Sequence, residues 1–301
     1  MLLSIIIPTL NRYNDLENTL CNLNEQSYQD FEVVIIDQTD NPESERYLKR
    51  SKIKYFWSND RSASGARNIG IKESKGDILL FLDDDIIIKN LDFIKNHIRH
   101  YSDELIPGIV GCIMEPDEIK RMTRHSWSYK KNIGWLFFPR NYGLPAMVGC
   151  GGSGNLSVRR TIAILVGGMD ENYKKGAHRE ESDFCTRVVK KYGLFKYDPD
   201  ADIVHIGSPL GGIRSWSSGA DIVKKQQHFD GAFYFLIKNF KIRELPYHLI
   251  STFIFFFYNK KLLHKPHLFI LTFYRMLKGV LFGLRYYKYP KYLVDELNAQ
   301  V

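Results

Sequence analysis

Three consecutive carboxylates, Asp83-Asp84-Asp85, follow the apolar run Ile78-Leu79-Leu80-Phe81-Leu82. At the end of a buried strand such groups repel one another unless a cation or hydrogen-bond donors neutralise them. Hard divalent ions, Mg²⁺ or Mn²⁺, suit these oxygen ligands and commonly share them with substrate phosphates; a solvated acidic turn capping the next helix has the same composition. Upstream lies Arg61-Ser62-Ala63-Ser64-Gly65-Ala66-Arg67-Asn68-Ile69-Gly70. Its small residues allow close backbone approach and its arginines suit phosphate or a base edge, although an ordinary helix start capped by Ser62 or Ser64 reads equally well. It is not a P-loop, since G-x-x-x-x-G-K-[ST] is absent. The glycine cluster Gly149–Gly154, leading into Asn155-Leu156-Ser157, is either a loop that lets a sugar or pyrophosphate approach the backbone or a plain turn. His178-Arg179-Glu180-Glu181-Ser182-Asp183 opens a helix. Acids there are favoured by the helix dipole, and one of them is also placed to act as general base toward a substrate hydroxyl. His205 ends the short apolar stretch Ile203-Val204-His205-Ile206, where only its partners can distinguish a core histidine from a ligand.

Strand and helix signals alternate through the first 110 residues. Leu2–Ile7, closed by Pro8, reads as a strand buried on both faces. Leu16, Leu20 and Leu23 mark one face of a helix over 14–26, with Asn14 or Asp15 as its cap. Phe31–Ile36, ending at Asp37, is a second buried strand; Glu43–Lys49 a helix; Ile53–Phe56 a third strand; Ser64–Ser74 a helix; Asp77–Leu82 a fourth strand. Such alternation implies right-handed crossovers and a mostly parallel sheet whose ligands bind at the carboxyl ends of strands. Pro8-Thr9, Asp37-Gln38 and Asp83–Asp85 all sit at such ends. Beyond residue 108 the pattern is irregular, with a helix over Glu180–Tyr192 and a last strand at Ile203–Ile206.

The 301-residue chain is 44% hydrophobic and 25% charged, which excludes a disordered or collagen-like protein, and carries a net charge of +8. That charge is localised: residues 209–301 hold 14 Lys+Arg against 5 Asp+Glu. Residues 229–292 also contain 19 of the 41 Phe, Tyr and Trp residues. A division into residues 1–208 and a basic, aromatic, helical extension over 209–301 follows. Cys21, Cys112, Cys150 and Cys185 form no C-x-x-C pair, so free thiols in a reducing cytosol are expected rather than a zinc site or disulfide framework. The N-terminus carries no recognisable signal peptide, and no uncharged apolar run approaches the ~18 residues of a membrane span.

Together these segments resemble the family-2 glycosyltransferases of GT-A fold, with a bacterial polysaccharide or rhamnosyltransferase-like character. The resemblance covers about residues 1–208. It rests on Ser4–Arg12, Phe31–Asp37, Ala66–Gly70, Gly76-Asp77, Phe81–Asp85, Gly154–Arg160 and Glu180–Phe184 with Arg187, in the family's order. It implies an α/β, Rossmann-like sheet flanked by helices and a nucleotide-sugar donor. It also implies an Mn²⁺ or Mg²⁺ ion held through the D-x-D pair Asp83 and Asp85, with His205 nearby. Donor contacts would come from Pro8, Thr9, Asn11, Arg12, Asp37, Gln38, Arg61, Arg67, Asn68, Asp83 and Asp84, and sugar contacts from Gly152, Gly154 and Asn155. Glu181 aligns with the family's catalytic base, with Glu180 and Asp183 as competitors. Two departures stand out: Gln38 occupies the place of a second aspartate after the second strand, and Glu181 that of an aspartate. The implied reaction is a single inverting displacement by an acceptor hydroxyl. The alternatives are a nucleotide-sugar binder whose chemistry has lapsed and a sugar-1-phosphate nucleotidyltransferase, although Pro8–Arg12 lacks the glycine-rich loop of the latter.

In the extension, His267–Lys288 has helical periodicity, with Arg275, Lys278, Arg285 and Lys288 on one arc and leucines, Phe and Met over the rest. Tyr286, Tyr287, Tyr289 and Tyr292 follow, a residue type favoured at lipid boundaries. This reads as an interfacial helix on an anionic membrane surface, with Phe253–Tyr258 as a second wedge; packing on the catalytic body is the competing reading. Phe255-Phe256-Phe257 is too apolar for a nucleic-acid surface. A peripheral site on the cytoplasmic face of the membrane suggests a saccharide acceptor on a lipid such as a polyprenyl diphosphate. A homo-oligomer is compatible with the sequence.

Overall fold

The structure, a computed structural model, describes residues 1–120, 140–175, 178–213, 225–257 and 267–293. Tyr258, the end of the expected second wedge, lies outside the described residues. The strands are β1 (Leu3–Thr9), β2 (Phe31–Asp37), β3 (Ile53–Trp57), β4 (Ile78–Leu82), β5 (Ile86–Ile87), β6 (Gly108–Met114), β7 (Ala146–Val148), β8 (Asn155–Arg159) and β9 (Phe195–His205). The helices are α1 (Tyr13–Asn24), α2 (Glu45–Leu48), α3 (Ala63–Glu73), α4 (Phe93–Ile98), α5 (Arg160–Leu165), α6 (Glu180–Tyr192), α7 (Gln226–Asn239), α8 (Leu245–Phe257) and α9 (His267–Tyr286).

The strands form one sheet in the order β3-β2-β1-β4-β8-β6-β9-β5, with β7 on β9. It is parallel where the sequence alternates strand and helix, through β3-β2-β1-β4. The expected mostly parallel sheet gives way to a mixed one beyond β4. There β8 runs antiparallel to both β4 and β6, and β5 and β7 run antiparallel to β9. The irregular stretch after residue 108 thus adds antiparallel neighbours, while β6 and β9, separated by β7, β8, α5 and α6, pair in parallel. The last strand is longer than its apolar core suggests, because it starts at Phe195 and runs through Asp198-Pro199-Asp200.

Both faces are covered, and successive residues of the central strands divide between them. Ile6, Val34, Ile36 and Phe81 pack with Ala66 and Ile71 of α3, Ala163 of α5 and Phe184 and Val188 of α6. Ile5, Ile7, Val33, Ile35 and Leu80 pack with Leu16, Leu20 and Leu23 of α1 and Phe93 and Ile94 of α4. Ser62 caps α3 by accepting the Gly65 amide at 3.1 Å. Helix α1 begins earlier than expected. Its cap is Arg12 rather than Asn14 or Asp15, after Asn11 turns the chain with φ of 56°.

The segment beyond residue 208 is tied back onto this body. Lys291 and Leu293 exchange backbone hydrogen bonds with Glu171 and Gly167, and Leu293 joins the core beside α5 and α6. Tyr234, Phe235 and Leu236 of α7 pack with Tyr173, while Phe229 of α7 stacks on Phe256 of α8 at 4.3 Å. Among the described residues no helix is long and apolar enough to cross a membrane.

Candidate active site

Strand register brings the chemistry together. Thr9 pairs with Asp37, so the carboxyl ends of β1 and β2 lie side by side. Leu82 pairs with Asn155, which places the Gly152–Gly154 loop next to Asp83. Ile86 pairs with His205, which places the imidazole next to Asp85. A cavity of about 410 Å³ opens at this edge.

The three aspartates differ in environment. Asp83 is 35% exposed and takes a contact from Arg67 Nη2 at 3.4 Å. Gly154 makes its position possible, since a Cβ there would lie 2.3 Å from Asp83 Oδ2. Asp84 is buried; Thr9 Oγ1 donates to it at 2.8 Å and Arg12 Nη1 at 3.2 Å, tying β1 to β4. Burial pushes its pKa up to about 7, against the pull of Arg12 and Thr9 and with help from the charges of Asp85 and Asp83. Asp85 is buried too, which raises its pKa, but the contact with His205 and the charges of His205 and Arg12 outweigh burial and hold it below 3.8. Its Oδ2 meets Arg12 Nη1 at 2.9 Å and the Ser208 amide at 2.9 Å. The same Asp85 contact raises the His205 pKa above 6.5 against burial.

These residues fit a divalent cation. Asp83, Asp85 and His205 each offer a ligand atom, all within 4.8 Å of one another. Asp85 Oδ1 is buried, accepts no hydrogen bond of normal geometry and lies 3.3 Å from His205 Nε2. Carboxylate and imidazole donors around such an orphaned oxygen suit Mn²⁺ well and Mg²⁺ adequately.

The acids of α6 separate in space. Arg179 caps the helix with φ of 77°, a left-handed conformation unusual for a residue with a side chain. Glu180 turns inward, accepting from Arg67 Nη1 at 3.0 Å and Ser64 Oγ at 3.1 Å. Asp183 faces away from the cavity and is held by Arg187, Lys238 and Asn239 at 3.0, 2.9 and 2.8 Å. Glu181 alone of the three lines the cavity, and its Oε2 has no hydrogen-bond partner among the described residues.

Of the residues singled out by sequence, Pro8, Thr9, Arg12, Gln38, Arg67, Asp83, Asp84, Asp85, Gly152, Gly154, Glu181 and His205 line the cavity. The others take up different tasks. Asn155 is fully buried: its amide nitrogen donates to the carbonyls of Cys112 and Ala201, and its oxygen faces His97 Nε2 at 2.9 Å, leaving nothing for a sugar. Asn68 braces the Met169 backbone and Glu171. Arg61 pairs with Asp40 at the surface. Asn11 shapes the turn before α1 and bonds Thr39. Asp37 is enclosed by the Tyr13 and Tyr55 hydroxyls, each at 2.6 Å, and the Thr39 amide. Gln38 beside it directs its amide nitrogen to the carbonyls of Asp60 and Ser62, leaving Oε1 buried and unpartnered among the described residues. The sequence reading missed the segment from Gly207 to Ile213, which lines the cavity and is pinned by Arg12 through the carbonyls of Ser208 and Leu210. Its turn-forming string Gly207-Ser208-Pro209-Leu210-Gly211-Gly212 was the available signal.

The fold resembles that of a mannosyltransferase from Pyrobaculum calidifontis solved in complex with GDP-Man and Mn²⁺. The TM-score is 0.57 at 14% identity, over 95% of this chain and 87% of that one. In sequence, the chain is 26% identical over 120 residues to the GalNAc(5)-diNAcBac-PP-undecaprenol β-1,3-glucosyltransferase of Campylobacter jejuni, covering 38% of this chain and 33% of that protein. It is 30% identical over 133 residues to an O-antigen chain rhamnosyltransferase of Salmonella typhimurium, covering 43% and 42%. The matched stretch thus spans less than half the length of either relative. The family model for glycosyl transferase family 2 matches residues 4–162, more than half of the chain and the whole run from β1 into α5. The chain belongs to glycosyl transferase family 2.

Proposed function

We propose that this chain is an inverting, divalent-metal-dependent glycosyltransferase that moves a sugar from a nucleotide donor to a hydroxyl of a saccharide acceptor in bacterial polysaccharide synthesis. The observation that carries the reading is one cavity lined both by the unpartnered carboxylate of Glu181 and by the Asp83, Asp85 and His205 group. A uracil or thymine donor is favoured. The Gln38 amide nitrogen is committed to two carbonyls, so its free Oε1 is an acceptor suited to an imide N–H. The acceptor is taken to be lipid-linked and reached from the cytoplasmic face of the membrane, a reading supported by the undecaprenol carrier named for the C. jejuni relative.

In this mechanism Glu181 takes the proton of the acceptor hydroxyl. The oxygen bonds to the anomeric carbon from the face opposite the leaving group, and the bond to the diphosphate oxygen breaks, inverting the centre and releasing nucleoside diphosphate. A divalent ion held by Asp83, Asp85 and His205 supplies positive charge against that diphosphate when bound. Arg67 fixes Asp83 and Glu180 together, and Arg12 holds the Ser208–Gly211 backbone over the nucleotide end of the cavity.

The test is a panel of UDP-, dTDP- and GDP-sugars with Mn²⁺ or Mg²⁺, read as nucleoside diphosphate release. Glu181→Gln is expected to lower turnover by roughly 10²–10⁴-fold with donor binding retained, and Asp83→Asn to weaken metal-dependent donor binding. Unchanged turnover in Glu181→Gln would refute the assignment. Formation of nucleoside triphosphate and sugar 1-phosphate when pyrophosphate is added to the nucleotide sugar would point to nucleotidyl transfer, and donor binding without any release to a lapsed binder.

A further inference from the structure

We infer that the pair α8–α9 is a docking face for an anionic phospholipid bilayer. The inference rests on the peripheral-membrane reading above and gives it a place on the molecule. One side of α9 is packed: Leu268, Thr272 and Met276 are buried, and a Cβ at Gly279 would lie 2.7 Å from the Phe229 carbonyl of α7. The opposite side carries Ile270, Phe273, Tyr274, Leu277, Leu281 and Leu284, which are 50–78% exposed. At about 100° per residue they fall within an arc of about 100°. On α8, Tyr247, Ile250, Phe253 and Ile254 are likewise exposed, while His248, Thr252 and Phe256 turn inward. The two helices meet where Phe257, stacked on Phe253, contacts Phe269 with ring centroids 5.6 Å apart, so the two exposed stripes adjoin at this junction. Scattered exposed apolar residues need no explanation, but ten on two touching helices do.

Charge decides what covers the patch. Exposed Lys278 and Arg285 run along one edge of the α9 stripe, exposed Lys288 follows its C-terminal end, and exposed Lys241 and Arg243 precede α8. Glu244 is the one exposed acid among the described residues 225–293. A second copy would set this basic rim against itself. Nucleic acid would leave the leucines and phenylalanines against a wet phosphate backbone. An acidic lipid surface satisfies both features: the apolar stripe enters the acyl boundary while Lys and Arg stay with the headgroup phosphates. Tyr289, exposed, follows the end of the stripe, where an amphipathic ring suits the interface, while Tyr286 and Tyr287 pack against the Tyr173 and Tyr234 cluster. The attachment lies along the surface, since no described helix can span.

Flotation of the full chain with vesicles tests this, using phosphatidylcholine alone or with about a third phosphatidylglycerol to give the negative surface. Binding is expected only to the anionic vesicles and to weaken with salt. Lys278→Gln with Arg285→Gln should lower partitioning roughly 25-fold, about fivefold per charge removed. Leu277→Glu with Leu281→Glu should abolish it. These four side chains are exposed, so melting temperature and nucleotide binding should be unchanged, which separates lost docking from lost folding. Equal binding to neutral vesicles would overturn the inference. So would absence of binding, whether the chain is monomeric or forms a dimer that Leu277→Glu with Leu281→Glu dissolves. Vesicle binding requires no sugar transfer, so failure of the catalytic assignment leaves the docking face standing, and the reverse.

Discussion

Removing the charge of Lys238 tests how the extension is coupled to helix α6. Lys238, on α7, is almost fully buried and its Nζ lies 2.5 Å from Asp170 Oδ2 and 2.9 Å from Asp183 Oδ1. Burial alone would push the Asp183 pKa up, but the charges of Lys238 and Arg187 hold it below 3.8. In Lys238→Met the stem still packs against the Tyr234 and Tyr292 rings, which lie 5.2 and 4.9 Å from Nζ, and only the cation is lost. Breaking a buried pair by removing one partner costs about 3–5 kcal/mol. The lower end applies here. Asp183 keeps Arg187 and Asn239, and Asp170 keeps the Tyr234 hydroxyl at 2.6 Å and two backbone amides. Urea unfolding at neutral pH should therefore show a loss of about 3 kcal/mol, a large share of a typical 5–15 kcal/mol stability. Asp183→Asn in the same background should recover about 1–2 kcal/mol of it, because the uncompensated charge goes too. Glu181 stands on the same first turn, so turnover should fall more than the donor KM rises. A loss below about 1 kcal/mol, the value of an exposed pair, would refute the argument.

Three further outcomes follow from individual contacts. Fully buried His97 has its pKa lowered by burial from 6.5 to about 4, so the unfolded chain binds the extra proton between those values; stability should fall by roughly 3 kcal/mol as pH drops through that window. His97→Gln should flatten that part of the curve, and parallel wild-type and variant curves would count against it. Gly154→Ala should displace Asp83 and lower metal-dependent turnover roughly 10–100-fold, in line with the loss of a metal site's support, with little change in melting temperature. Asp183→Asn alone should lower stability more than it changes the donor KM, whereas Glu181→Gln should do the opposite to turnover and stability, as kinetics and urea unfolding of the two variants would reveal.

The parallel half of the sheet was legible because each strand there is a local apolar run between turn residues, and crossover handedness supplies the rest. The acid triplet was legible for the same reason: it stands at the end of such a run. Strand β6 and the first half of β9 were not, since β6 pairs antiparallel with β8 and parallel with β9 across long stretches of sequence, and β9 passes through Asp198-Pro199-Asp200, a string that reads as a turn. Asn155 illustrates the same limit within the site. Its position after a glycine loop suggested sugar binding, but its hydrogen bonds go to Cys112, Ala201 and His97, which are 43 to 58 residues away in sequence.

The competition among Glu180, Glu181 and Asp183 was undecidable from sequence, and the reason is geometric. At about 100° per residue the three carboxylates leave α6 in directions about 100° and 200° apart, so a single helix start serves three neighbours. Which direction faces substrate depends on what packs on the other two. Here Arg67 and Ser64 of α3 claim Glu180 and Lys238 of α7 claims Asp183. Glu181 is left for the cavity because two charges elsewhere in the chain have removed its competitors. Among its described residues the basic extension therefore carries exposed lysines, which suit the proposed lipid surface, and a buried Lys238 that holds Asp183 away from the cavity.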